Sequence, residues 1–314
     1  MQFKAIWADN SPASKFLIAI GVLIIGAFVF TFVSLGLASA IYGIDVMQLE
    51  ELMNDFENPL TISVLKLIQT VSTIGTFILP ALFLAYTFGN SPAGYLHLDK
   101  KTKWDSVVIV FILLVAAVPL INFLGEWNSR MQLPSWMEGI EHRIKANEDQ
   151  AALLTEKFLS IGSPLQLINT IILFAVLPAV SEELMFRGIL QRIFSEWSGN
   201  KHTAVWASAI LFSAMHNQFY GFVPRMLLGV MLGYLLLWSG SLWLPIIAHF
   251  INNGAAVLAI YLYRHNELSI NPDEIGTQDQ WTTVLISTVL TTSLLWLIYK
   301  REKSARPNCR GIEE

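Results

Sequence analysis

The sequence has few charged residues for its length, and this scarcity argues against a soluble protein. Only 14% of its 314 residues are Asp, Glu, Lys or Arg, whereas a soluble domain carries about 25%. Apolar residues make up 54% of the chain. The net charge of −4 also lacks the basic excess of nucleic-acid-binding proteins, so no nucleic-acid partner is expected. The composition therefore predicts an integral membrane protein.

Cysteine is almost absent from the chain. The single cysteine, Cys309, lies in a polar C-terminal tail. The chain can therefore form neither an internal disulfide nor a cysteine-based metal site. Internal repeats and low-complexity tracts are also missing, so we expect one integral membrane domain over residues 1–314.

Long apolar runs recur along the chain. Crossing about 30 Å of hydrocarbon takes about 20 apolar residues in a helix. Five runs are clear, at residues 16–42, 67–88, 106–125, 242–263 and 281–299. Three are shorter or interrupted, at residues 164–193, 203–217 and 222–238. The pattern predicts an all-α polytopic bundle of about eight transmembrane helices.

Basic residues in the loops predict the orientation of the bundle, because cytoplasmic loops are enriched in Lys and Arg. Lys4 and Lys15 precede the first span, and the following loop, residues 43–59, has five acidic residues and no basic one. Further basic segments follow the second, fourth and eighth spans, as "LDKKTK", "QRIFSEWSGNK" and "KREKSARPNCR". An even number of spans then places both termini in the cytoplasm.

The longest loop, residues 126–163, carries charges of both signs and is expected outside the cell. Residues 148–162, "EDQAALLTEKFLSIG", are expected to form an amphipathic helix on the membrane surface.

Three charged residues interrupt the apolar run "VLPAVSEELMFRGILQ". Ionisable residues inside a span are costly and are candidates for function. On an α-helix, Glu183 and Arg187 share a face, whereas Glu182 points about 140° away from Arg187. Arg187 can thus neutralise Glu183 and leave Glu182 to face a cavity. The alternative is a buried ion pair that only holds two helices together.

Polar residues also lie in two later spans. His216 ends "LFSAMH", and His249 and Asn253 are four residues apart in "LPIIAHFINN". Each could be structural, as an interfacial histidine or as a hydrogen bond between helices. Together, a carboxylate, two imidazoles and an amide on three helices could form one polar pocket. Such groups can activate water, stabilise an oxyanion and protonate a leaving amine, as amide hydrolysis requires.

The stretches "EELMFR", "FSAMH" and "HFINN" resemble the EExxxR, FxxxH and HxxxN motifs of one family. This is the CPBP family, also called Abi or CAAX-protease-like, which includes the type II CAAX prenyl endopeptidases. The resemblance covers about residues 175–256, within an expected catalytic core at residues 164–263. It implies that Glu182 is the general base and that Glu183 and Arg187 shape the site. It further implies that the histidine and asparagine of the third motif form the oxyanion hole.

The resemblance leaves the cofactor open between zinc and none. It implies that His216 either orients water or ligates a metal, and the family is commonly classed among metalloproteases. Glu182, His216 and His249 could make an open catalytic zinc site. However, the chain has no HExxH motif, and the same residues could act on a glutamate-activated water without an ion.

The expected function is an intramembrane endopeptidase that acts on a membrane-associated protein or peptide, with the lipid bilayer as its other partner. The expected location is the bacterial inner membrane. Two alternatives remain, a proton-coupled transporter and a non-catalytic immunity or adaptor protein. The polar residues crowd into the second half of the chain without a visible inverted repeat, which disfavours the transporter.

Overall fold

The structure is a computed structural model that describes residues 5–53, 55–277 and 280–304. Lys4, Cys309 and most of the basic tail lie outside the described residues. Within the described residues the chain is helical and contains no strand. The predicted all-α polytopic bundle is confirmed.

Eleven α-helical segments follow one another in the described chain, with two stretches of π-helix counted within α7 and one within α3. In chain order, α1 to α5 are Pro12–Tyr42, Val46–Met53, Pro59–Phe88, Pro92–Tyr95 and Trp104–Ser129. The following six, α6 to α11, are Glu138–Phe158, Pro164–Ser198, Lys201–Ala214, Phe222–Ser239, Trp243–Arg264 and Trp281–Ser304.

Seven of these helices are long and apolar enough to cross a membrane, namely α1, α3, α5, α7, α9, α10 and α11. The count differs by one from the eight expected spans, because the expected span 203–217 is the 14-residue helix α8. At 1.5 Å per residue, α8 covers about 21 Å, which is shorter than the hydrocarbon layer.

Helix α8 nevertheless connects opposite ends of the bundle. Just before it, Glu196 pairs with Lys15 at the start of α1, with 2.9 Å between Oε2 and Nζ. Just after it, the Phe219 carbonyl accepts a hydrogen bond of 3.0 Å from Asn128, at the far end of α5. The chain therefore passes from one end of the bundle to the other between residues 196 and 219.

The start of α1 and the end of α11 lie at the same end of the bundle. Arg192 of α7 donates to the Tyr95 carbonyl in the segment that leads into α5. At the start of α5, Lys103 pairs with Glu302 of α11, with 3.3 Å between Nζ and Oε2. This placement is what an even number of crossings requires. The compartment that this end faces stays a prediction.

The loop that was expected outside the cell, residues 126–163, contains a longer helix than expected, since α6 begins at Glu138 and ends at Phe158. The helix packs on segment 215–221, which joins α8 to α9. Glu148 of α6 accepts hydrogen bonds from the backbone N–H groups of Phe219 (2.6 Å) and Tyr220 (3.2 Å). Its contact with a membrane surface stays a prediction.

Helix α7 lies at the centre of the bundle and contacts α1, α3, α8, α9 and α10. Its 35 residues include two stretches of π-helix, Ile172–Val176 and Glu183–Leu190. Pro178 lies two residues after the end of the first stretch. Because proline has no backbone N–H, the carbonyl four residues before it, that of Phe174, loses its α-helical partner. Every residue from Glu183 to Leu190 is buried.

Two glycines let α9 approach α7 and α8 closely. The Gly229 and Gly233 carbonyls accept hydrogen bonds from Arg187 (3.0 Å) and Gln191 (3.2 Å) of α7. A Cβ atom on Gly233 would lie only 2.9 Å from the Gln191 Oε1 and from a methyl group of Val205. Because the two glycines have no side chain, the side chains of Arg187 and Gln191 can reach the backbone carbonyls of α9.

We expect Gly233→Leu to destabilise the protein by about 1–3 kcal/mol, the usual cost of overpacking. Gly36→Leu is the matched control, because a Cβ on Gly36 of α1 would meet no atom within 4 Å. Thermal unfolding in detergent measures both changes. Equal melting temperatures for the two variants would contradict the close approach of α9.

Candidate active site

A buried ion pair joins the two charged residues expected to share a face of α7. Nη1 of Arg187 lies 2.8 Å from Oε1 of Glu183, and the two side chains are 1% and 0% exposed. The guanidinium also donates to the Gly229 carbonyl and lies over the Phe212 ring, with 4.5 Å between Cζ and the ring centroid. These contacts offset the cost of removing both charges from water.

His249 brings the two adjacent glutamates together. Its Nδ1 lies 2.9 Å from Oε1 of Glu183, and its Nε2 lies 3.8 Å from Oε2 of Glu182. The ring is 3% exposed. The motifs did not predict this arrangement, because they assigned His249 to an oxyanion hole or to a zinc site and not to a contact with Glu183. When Nδ1 carries a proton it donates to Glu183, which fixes the ring and turns Nε2 towards Glu182.

Glu182 is the more accessible of the two carboxylates. Its side chain is 19% exposed, against 0% for Glu183. Its separation of 3.8 Å from His249 is longer than a hydrogen bond. This carboxylate can therefore accept a hydrogen bond from a water molecule beside the imidazole. The arrangement agrees with the expectation that Glu182 faces a cavity, while its catalytic role stays a prediction.

Phe212 packs between the two histidines. Its ring centroid lies 5.1 Å from that of His216 and 6.2 Å from that of His249. Nδ1 of His216 lies 2.8 Å from the Phe212 carbonyl, one helical turn earlier. As the donor of this bond, Nδ1 leaves Nε2 of the exposed His216 available to water or substrate. Phe212, the first residue of the FxxxH motif, thus positions both imidazoles. The spacing of the motif did not predict its contact with His249.

Asn253 ties α10 to the irregular part of α7. Its Nδ2 donates to the Phe174 carbonyl at 3.1 Å, and its Oδ1 accepts from Asn252 at 3.1 Å. This is the carbonyl that Pro178 leaves without its α-helical partner. Because an amide nitrogen carries two N–H bonds, one remains for another ligand. The expected contribution of Asn253 to an oxyanion hole stays a prediction.

The three residues expected to hold zinc do not form a metal site in the structure. Glu182 and His249 approach each other. Yet no group of three or more His, Cys, Asp or Glu residues in the described ranges is placed to hold an ion. The set Glu182, His216 and His249 therefore does not fit a catalytic zinc, which needs three protein ligands converging at about 2 Å.

Comparisons with known proteins agree with the motifs. Residues 164–255 match the model of a family described as "Type II CAAX prenyl endopeptidase Rce1-like". The chain is also 32% identical over 88 residues to the uncharacterized protein YpbD of Bacillus subtilis (strain 168). That match covers 27% of this chain and 42% of YpbD, so the chain spans less than half the length of this curated relative. No solved structure matches.

The expected resemblance to the family is thus confirmed for residues 164–255, which contain all three motifs. The match ends at residue 255, shortly after Asn253, so the family segment includes the whole cluster around His249. The activity of the whole chain stays a proposal.

We expect Glu183→Gln to destabilise the protein by about 3–5 kcal/mol, because it leaves Arg187 as a buried charge without a counter-ion. Glu182→Gln is the matched control, since the Glu182 side chain neighbours Glu183, is partly exposed and makes no ion pair with Arg187. Thermal unfolding in detergent compares them. The structural role of the pair is refuted if both variants melt together with the wild type.

Proposed function

We propose that this protein is an intramembrane endopeptidase, which hydrolyses a peptide bond of a membrane-associated protein or peptide. One observation carries the proposal. Two adjacent carboxylates, Glu182 and Glu183, meet one imidazole, that of His249, inside an apolar bundle. The match of residues 164–255 to a peptidase family supports it.

In this proposal Glu182 is the general base. A water molecule between Glu182 and the substrate gives a proton to the carboxylate while its oxygen attacks the carbonyl carbon. The electron pair of the C=O double bond moves to oxygen, which forms a tetrahedral oxyanion. When the C–N bond breaks, protonated Glu182 returns the proton to the leaving amine.

The residues around Glu182 hold and polarise this reaction centre. Glu183 fixes the ring of His249 through Nδ1, and Arg187 neutralises Glu183. Nε2 of His249, when protonated, and the remaining N–H bond of Asn253 are the proposed oxyanion donors. His216 orients the attacking water through its Nε2. This sequence of steps uses no metal ion.

The location proposed for the protein is the bacterial inner membrane, because its matched relative is bacterial and seven of its helices can span a bilayer. Transport and immunity remain the competing functions. The polar cluster does not favour transport, because it joins neighbouring helices of one half of the chain. The identity of the substrate decides between maturation, degradation and immunity.

We expect Glu182→Gln to lower the cleavage rate by about 10²–10⁴-fold, the usual contribution of a general base. Glu156→Gln is the matched control, since Glu156 is an exposed carboxylate on α6. Quantitative proteomics of membranes from cells that express either variant would detect the uncleaved precursor, which would also identify the substrate.

The precursor should accumulate with Glu182→Gln and not with Glu156→Gln, at equal levels of the two proteins. An adaptor would keep its phenotype after Glu182→Gln, and a transporter would lose coupled flux with no precursor in the membrane. Either result would contradict the proposed peptidase.

Chelation provides a separate test of the mechanism. Purified protein in proteoliposomes should keep its cleavage rate after treatment with a chelator and dialysis, because Glu182, His216 and His249 do not form a three-ligand set. The measurement is the rate at which the protein cleaves the precursor that the proteomics experiment identifies. Loss of activity that added Zn²⁺ alone restores would contradict a mechanism without metal.

A further inference from the structure

Arg225 lies near the site, in the first turn of α9, and its guanidinium folds back over the turn before the helix. Its Nη2 donates to Oε1 of Gln218 at 2.5 Å. A Cβ atom on Gly221 would lie 3.2 Å from Nη2 and 3.6 Å from Nη1. The guanidinium therefore occupies the space that the glycine leaves open.

The other terminal nitrogen of Arg225 lacks a hydrogen-bond partner in the part of the chain that the structure describes. Nη1 is buried, and it makes no hydrogen bond with any described residue. A buried N–H donor left unpaired costs about 1–3 kcal/mol, more for a charged group. Buried polar groups in folded proteins nearly always have a partner. Such an exception therefore suggests a group that binds there during function.

The charge of Arg225 acts on the centre of the site. Arg225 interacts electrostatically with Glu182, the proposed base, and with Glu148 of α6. Neither carboxylate forms a direct ion pair with it among the described contacts. Arg225 and Glu182 are thus further apart than an ion pair.

The donors expected for the oxyanion are partly engaged already. Nδ1 of His249 faces Glu183, and Nδ2 of Asn253 donates to the Phe174 carbonyl. Each residue keeps one potential donor. The unpaired nitrogen of Arg225 carries two N–H bonds and belongs to a guanidinium group with a positive charge. A charged donor is the stronger partner for a developing anion.

Resting on the proposed function, we propose that Arg225 is a further catalytic residue, which donates from Nη1 to the carbonyl oxygen of the scissile bond. The movement of charge in the reaction supports this assignment. When Glu182 takes the proton of the water, its negative charge disappears and a negative charge forms on the carbonyl oxygen. Arg225 interacts with Glu182 at longer range before this step, and it pairs directly with the oxyanion after it. Arg187 cannot serve in this way, because Glu183 holds it.

The test measures kcat and KM in proteoliposomes with a library of internally quenched apolar decapeptides as the probe. Arg225→Ala should lower kcat by about 10²–10³-fold, as for the loss of an oxyanion donor, with KM nearly unchanged. Added guanidinium ion should restore part of kcat in Arg225→Ala. The melting temperature of this variant shows whether it is folded, and Arg225→Lys, which keeps the charge, should retain more activity.

Two variants serve as controls. Gln218→Ala removes only the hydrogen bond that holds Arg225 to the turn, and it should lose much less kcat than Arg225→Ala. Arg192→Ala removes an arginine at the opposite end of the bundle, where it bonds to the Tyr95 carbonyl, and should leave kcat unchanged.

Three results would overturn the assignment of Arg225. The first is an unchanged kcat in Arg225→Ala. The second is an effect on KM alone, which would indicate that Arg225 binds a substrate carboxylate. The third is a loss of kcat equal to that of Gln218→Ala without rescue by guanidinium, which would indicate a structural role. Failure of the wild type to cleave any peptide would instead count against the proposed function, and the inference would fall with it.

Discussion

The buried carboxylate of Glu183 is the point on which the rest of the site depends. Its Oε1 lies 2.8 Å from Nη1 of Arg187 and 2.9 Å from Nδ1 of His249, so one oxygen links α7 to α10. Arg187 in turn donates to the Gly229 carbonyl, which brings α9 into the same network. A carboxylate without exposure to water is tolerated only with such partners. The network therefore fixes the relative positions of three helices at the level of the proposed chemistry.

Irregular helix geometry makes this network possible. The π-helical stretch Glu183–Leu190 begins at the carboxylate itself, and π-helical turns inside α-helices are frequent at functional sites. Pro178, one turn earlier, frees the Phe174 carbonyl, which then accepts the hydrogen bond of Asn253. Helix α10 is thus held to α7 at two levels, by Asn253 and by His249. The Phe174 carbonyl is thus a partner that a regular α-helix would not offer.

The sequence was sufficient to predict the helical bundle and the Glu183–Arg187 pair, because apolar run length and a spacing of four residues are local properties. It was not sufficient for contacts that depend on how helices pack. Regular α-helical geometry turned Glu182 away from Arg187, and it gave no reason for both glutamates to approach His249. The expected span 203–217 also extended past the end of α8, since the helix ends at Ala214. The contacts of Phe212 with Arg187 and both histidines likewise required the tertiary structure.

Two adjacent glutamates can perform different tasks here because their surroundings differ. Glu183 is enclosed by a cation and an imidazole, and its position is therefore fixed. Glu182 keeps 19% of its side chain exposed and stays 3.8 Å from the same imidazole, so it has room for a water molecule. Pairs of titratable groups with contrasting environments commonly divide structural and catalytic work between them. In the proposed mechanism the general base needs a water molecule that can be replaced after each reaction, whereas the residue that orients the histidine must keep the same partners. One helix meets both requirements by placing the first glutamate at the edge of the cluster and the second inside it.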